Sequence, residues 1–178
     1  MLVRPITRLY GSFREALDEW GDAHQDGAGI RDAAALRGRG GFATWVAALL
    51  DEEHRPAREG FVPCSYFWIL DGREFAGAIA LRHELNDHLL NLGGHVGYSV
   101  RPSRRGRGLA TAALREVREI ASGRGMERLL LTCAEDNAAS RQVILSNGGE
   151  YEDTRAGGDG RRMMRFWVPT GGVVPANR

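Results

Sequence analysis

Residues 101–114, RPSRRGRGLATAAL, set four arginines and two glycines within eight positions and then turn abruptly into small and apolar residues. That composition suits an anion. The loop lies between a stretch of strand character and one of helical periodicity, so its N–H groups and the positive end of the helix dipole converge on one point. Gly106 and Gly108 lack the side chains that would keep a phosphate from the backbone, Ala110 keeps the first helical turn narrow, and Arg104, Arg105 and Arg107 add charge. A solvated basic turn is the plain alternative. A dinucleotide loop fits less well, because Thr111 holds the third small position and no clear acidic ribose ligand follows the next strand. An RNA contact is a further alternative, since GRGG recurs at 38–41. The net charge of +1 and the lack of interleaved aromatics argue against it.

The rest of the chain narrows the chemistry. Its 178 residues suit one domain, and folding at that size buries roughly 70% of the unfolded surface. The 43% hydrophobic and 26% charged content is that of a soluble globular protein, with no global pull toward nucleic acid or membrane. All 24 basic residues are arginine, which excludes a P-loop and Schiff-base chemistry. Cys64 and Cys133 lie far apart and read as reduced thiols, and the charged start MLVRPITRLYG lacks a signal peptide's apolar core. These features together point to the cytoplasm. In HELNDH, His83 and His88 are five apart and would point about 140° from each other on a helix, so zinc is not expected.

Periodicity supplies the elements that must hold the loop. The first ten residues read as a short strand, and SFREALDEWGDAH and FATWVAALLDEEH as helices whose tryptophans, Trp20 and Trp45, belong to core or lid. Residues 27–41 between them read as a mobile connection. YFWILDGREFAGAIAL predicts two strands around the turn Asp71–Gly72, and HELNDHLLNLGG a helical or looped excursion. HVGYSV is a strand. After the loop, Leu109, Ala113, Val117, Ile120 and Ala121 share a helical stripe stopped at Gly123 and Gly125, and RLLLTC is a buried strand reached by a parallel crossover. A second helix follows, capped by Asp136 or Asn137 and stopped at Asn147–Gly148, and EYEDTR and RRMMRFWV close the sheet as a hairpin. The tail, 171–178, is expected to fray.

Two segments in register carry a family resemblance. RGRGLA, residues 105–110, resembles the [RQ]xxGx[GA] pyrophosphate loop of the GNAT family of N-acetyltransferases, and NAASRQVILSNGGEYE, residues 137–152, is similar to that family's downstream helix. The resemblance covers residues 65–168 well and 1–64 loosely. It implies an α/β (α+β) GNAT fold: a mixed, mostly antiparallel sheet of about six to seven strands, splayed between two adjacent strands and flanked by helices. It implies one domain over 1–170, with an N-terminal strand and two helices over 1–64 and a cofactor-binding core over 65–168. Acetyl-coenzyme A would lie between HVGYSV and RLLLTC, its pantetheine on the backbone of Tyr98, Ser99 and Val100. Its diphosphate would rest on Arg105, Gly106, Arg107, Gly108, Leu109, Ala110 and Thr111, with Asn137 and Ser140 along the thioester arm. Ile144 would pack against that arm, where many members carry a tyrosine that protonates the leaving thiolate.

The same resemblance implies transfer of acetyl to a primary amine of a small molecule or peptide, without metal, nucleic acid or membrane, by a monomer or a homodimer. Arg82, His83, Glu84 and Asn86 would border the acceptor, although a loop anchored by capping bonds reads equally well. His95 is expected to deprotonate the amine, with Glu84 as the substitute, because strand alternation puts His95 beside the open space at Gly97. A histidine holding a strand end is the structural alternative. Cys133 reads as an inert buried thiol rather than an acetyl relay. Two further readings are an acyl-coenzyme A binding module without turnover and an RNA-binding protein using its Arg/Gly loops.

Overall fold

The computed structural model describes residues 1–171. Of the tail expected to fray, 172–178 lies outside the described residues. The elements are β1 (Leu2–Val3), α1 (Tyr10–Trp20), α2 (Arg39–Asp51), β2 (Cys64–Asp71), β3 (Glu74–Arg82), β4 (Val96–Val100), α3 (Leu109–Gly123), β5 (Arg128–Ala134), α4 (Ala138–Leu145), β6 (Glu150–Ala156) and β7 (Arg162–Pro169). The seven strands form one sheet in the order β1-β2-β3-β4-β5-β7-β6. Every neighbouring pair is antiparallel except β4 and β5, which run parallel as the crossover predicts.

Strand alternation gives the sheet two apolar faces. On one, Tyr66, Trp68 and Ala78 meet α1 and α2 through Phe13, Trp20, Phe42 and Trp45. The Trp20 and Trp45 helices are thus core, with Phe13 stacked 6.0 Å from Trp68 between ring centroids. On the other, Phe67, Ile69, Ile79 and Leu81 meet the stripe Ala113, Leu114, Val117 and Ala121 of α3. Gly125 ends α3 at φ 78°, and the N–H groups of Met126 and Gly125 reach back to the carbonyls of Ala121 and Ser122. Gly148 and Gly149 end α4 in the same way on Leu145 and Ile144. In the β2–β3 hairpin the two central residues are Gly72 and Arg73, with Gly72 supplying the positive φ of 62° that the turn needs.

The connection at 27–41 does not behave as the mobile segment its composition suggests. A Cβ on Gly27 would lie 2.0 Å from the Gly97 carbonyl oxygen, so the connection is pressed directly onto β4, and the next residue, Ala28, is buried. Trp45 Nε1 donates to the Gly29 carbonyl at 3.0 Å, and Arg31 forks onto Glu52 at 2.7 Å to each oxygen. Its GRGG stretch opens α2 rather than forming a basic loop, with Arg37 paired to Asp18 and Arg39 over the Tyr10 ring.

Candidate active site

The strands β4 and β5 touch at a single ladder position, Val96 opposite Leu131, and part beyond it. His95 holds the closed end of that split. Its main-chain N–H donates to the Leu130 carbonyl, and its Nδ1 accepts the Leu130 N–H at 2.8 Å. On the other side of β4, the bonds from Arg82 N–H to the His95 carbonyl and from Arg101 N–H to the Ala76 carbonyl mark the hydrogen-bonded pairs with β3. Alternation then gives Gly97 and Ser99 to β3 and turns the main-chain groups of Tyr98 and Val100 toward the split. The Val100 carbonyl already accepts from Arg105 Nε at 3.1 Å and Trp20 Nε1 at 3.4 Å. Among the described residues Tyr98 N–H and C=O and Val100 N–H are left as the open edge, and the main-chain groups of Ser99 point to β3 instead.

Below this edge lies the loop. Arg104 and Arg105 close a 3₁₀ turn with their own N–H groups, and Gly106 and Gly108 then take left-handed φ of 72° and 73°. From Gly106 to Thr111 no backbone or side-chain acceptor among the described residues meets the N–H groups, and α3 has no side-chain cap. A Cβ on Gly106 or Gly108 would point into open space. The arginine charge is arranged differently from expectation: Arg104 and Arg107 both bind Asp71 of the β2–β3 turn, Arg104 also reaches Glu74, and Arg105 crosses to Val100. Glu19 at the end of α1 braces the loop's start, accepting from Arg101 and from the N–H and hydroxyl of Ser103; chiefly through Arg101, its carboxyl is held down at about 2.

Across the split, Asn137 Oδ1 caps α4 by accepting the Ser140 N–H at 3.0 Å. The Ser140 hydroxyl meets the Tyr98 hydroxyl at 2.8 Å, tying α4 to β4. Burial pushes that phenol up to about 12. Ile144, expected along the thioester arm, is instead fully buried in the α3-side core against Gly149, because its helix turns that position inward. Cys133 is buried in the same core and its thiol is pushed up by desolvation.

The expected base does not suit its role. His95 is 8% exposed, burial and the Arg82 charge lower its pKa to about 4, and its Nδ1 lone pair is taken by Leu130. The remaining nitrogen therefore carries the proton, and the ring has nothing with which to accept another at neutral pH. Other predicted acceptor residues also part company. His83 Nε2 meets the Ser65 hydroxyl at 2.8 Å on the α3 face, where desolvation and Arg124 lower its pKa. Asn86 caps Leu89 and donates to the Gly60 carbonyl, so it serves as the loop anchor its residue type allows. Glu84 is exposed in the turn after β3 and makes no hydrogen bond there among the described residues.

Arg82 does reach a pocket. Its Nη1 donates to the Gly93 and Gly94 carbonyls, each at 3.1 Å, while Nη2 lies 3.5 Å from the place a Gly97 Cβ would occupy. Together with His24, Asp26, Arg58, Phe61 and Tyr66 it lines a cavity of about 500 Å³ on the α1–α2 side of the sheet. Periodicity runs the first helix on to His24, whereas α1 ends at Trp20, and it passes over Asp26, Gly27, Arg58 and Phe61, which sit in connections. The glycines at 27 and 29, each with positive φ, were the available signal of a close approach.

The fold is shared with solved acetyltransferases. One is the microcin C7 self-immunity acetyltransferase MccE in complex with acetyl-coenzyme A and AMP: 15% identity, 94% of this chain and 91% of that one, TM-score 0.66. Another is the ribosomal L7/L12 α-N-protein acetyltransferase RimL in complex with coenzyme A: 15% identity, 94% and 92% coverage, TM-score 0.68. A third is a point mutant of the spermidine N-acetyltransferase SpeG from Vibrio cholerae: 13% identity, 96% and 95% coverage, TM-score 0.62. No match is found among curated protein sequences. Residues 21–150 match the family model described as an acetyltransferase (GNAT) domain, and with most of its length so matched the chain belongs to the GNAT family of acetyl-coenzyme A-dependent N-acetyltransferases.

Proposed function

We propose that this enzyme acetylates a primary amine that enters through the pocket beside Gly97. The observation that carries this reading is the pairing of two sets of backbone groups without partners among the described residues: the N–H groups from Gly106 to Thr111, and the donors and acceptor of the open β4 edge at Tyr98 and Val100. Exposed N–H groups at a helix start fit a diphosphate, and an unpaired strand edge fits the amides of a pantetheine arm. Acetyl-coenzyme A, when bound, supplies an activated acetyl thioester. Open space at Gly106 and Gly108 leaves room for its phosphates.

The chain's own task is proton handling and placement. An acceptor amine must be neutral to attack, which costs roughly 4.6 kcal/mol at pH 7 for a group with a pKa near 10.4 and about 1.4 for one near 8. The proton acceptors lining the pocket are His24 and Asp26, whose Nε2 and Oδ1 stand 3.1 Å apart. On this reading the pair replaces His95 as the base. The departing thiolate is a weak base, so Tyr98 and Ser140 need only offer it hydrogen bonds. Reduced, buried Cys64 and Cys133 suit a cytoplasmic setting. Pairing of Arg37, Arg104 and Arg107 with carboxylates speaks against RNA as the partner.

The test is release of free coenzyme A thiol in the presence of a panel of amines. Acceptor-dependent release supports the reading. Tight acetyl-coenzyme A binding with no release for any amine favours a binding module instead.

A further inference from the structure

The acceptor pocket carries a charge pattern of its own. Three arginines line it, and only Arg31 is neutralised, by Glu52, which also accepts from the Tyr66 hydroxyl at 3.0 Å. Arg58 and Arg82 have no carboxylate partner among the described residues. Arg58 lies over the exposed ring of Phe61 at 4.4 Å from its centroid, which orients the guanidinium along the wall. Arg82 is held at Nη1 by two carbonyls, so Nη2 is a fixed donor next to Gly97, one residue from the open edge at Tyr98. The opposing negative charge is Asp26, paired with His24.

Resting on the acetyl-transfer reading, we infer that the acceptor is a small amine carrying a carboxylate or phosphate, with Arg82 and Arg58 binding the anionic group and Asp26 facing the amine. Guanidinium groups bind both oxyanions through paired N–H donors, so the shared chemistry is a planar or tetrahedral oxyanion. The volume of about 500 Å³ is that of a small-ligand site. A polyamine, the acceptor named for the structurally similar SpeG, would bring positive charge against two unpaired arginines.

Four probes separate the possibilities: aspartate, O-phosphoethanolamine, ethanolamine and spermidine. They are measured by thiol release and by calorimetric titration into the coenzyme A-loaded protein. The expected result is that aspartate or O-phosphoethanolamine binds at least about tenfold more tightly than ethanolamine, the better of the two identifying carboxylate or phosphate. Arg58→Gln should then lose most of that margin without changing coenzyme A binding, and Arg82→Gln should lose all of it. Because Arg82 also holds Gly93 and Gly94, the exposed Arg58 variant keeps the test valid if Arg82→Gln fails to fold. Coenzyme A binding with equal or better binding of ethanolamine or spermidine, or with no binding of either anionic probe, overturns the inference alone. Absence of coenzyme A binding overturns the acetyl-transfer reading and the inference with it.

Discussion

The imidazole of His95 stands in for a strand carbonyl: its Nδ1 accepts the N–H of the fully buried Leu130, while the His95 N–H donates to the Leu130 carbonyl at 2.7 Å. This side-chain rung comes one residue before Val96, the only β4 residue that pairs with β5 in the ladder. The histidine thus fixes where the two strands begin to part, which sets the depth of the cleft. Replacing it with leucine leaves a buried N–H without an acceptor and should cost about 1–3 kcal/mol in urea unfolding. His95→Asn, whose side-chain oxygen can take the same bond, should recover part of that loss. Equal stability for wild type and the leucine variant would contradict the clip.

Acid stability follows from the same contact. The folded His95 has a pKa of about 4, lowered by burial and then by Arg82, against an ordinary value of 6.5. Between those values the unfolded chain binds the extra proton, so this contribution is complete above pH 6.5 and is lost as pH falls toward 4. Glu19, held at about 2 instead of 4.5, adds stability that is complete above pH 4.5 and is lost as pH falls toward 2. Unfolding midpoints of wild type and His95→Asn against pH should therefore differ in slope between 4 and 6.5. Neutral His95 also predicts that His95→Asn leaves any pH limb of kcat/KM between about 6 and 8 in place; its disappearance would restore His95 as the base.

The elements were legible because their signals are local. Helical stripes, the RLLLTC run and the glycine stops at Gly125 and Gly148 each act within one turn or strand. The loop from Gly106 to Thr111 was legible for the same reason, since backbone amides and glycines carry it. What failed depended on tertiary partners. Alternation puts His95 on the Gly97 face, but only the fold brings Leu130 to its ring. Arg107 has the type and place of a phosphate ligand, yet Asp71, 36 residues away, holds it. The glycine-rich connection looked loose because composition does not reveal that Gly27 lies on Gly97.

The Asp71 carboxylate competes with any anion for Arg104 and Arg107. Asp71→Asn should free Arg107 and leave Arg104 on Glu74 alone, tightening acetyl-coenzyme A binding by a factor of about two to five at low salt, since partly exposed ion pairs are individually weak. The gain should fade as ionic strength rises. Weaker binding in the variant would mean that Asp71 positions the loop productively.

Gly108 opens α3 at φ 73°, a conformation that costs a residue with a Cβ roughly 1–2 kcal/mol and a β-branched one more. Gly108→Val should weaken acetyl-coenzyme A binding at least about tenfold while the melting temperature moves only a few degrees. Calorimetry on a folded variant with wild-type affinity would remove Gly108 from the diphosphate site.

Amide chemical shifts of the ¹⁵N-labelled protein, followed as coenzyme A is added, test the cofactor cleft most directly. The largest shifts should fall on the amides of Gly106 through Thr111 and on those of Tyr98 and Val100, with Ser99 and the helix α2 little affected. Saturable binding that leaves Gly106 through Thr111 unmoved, with the shifts gathered elsewhere, would contradict that placement.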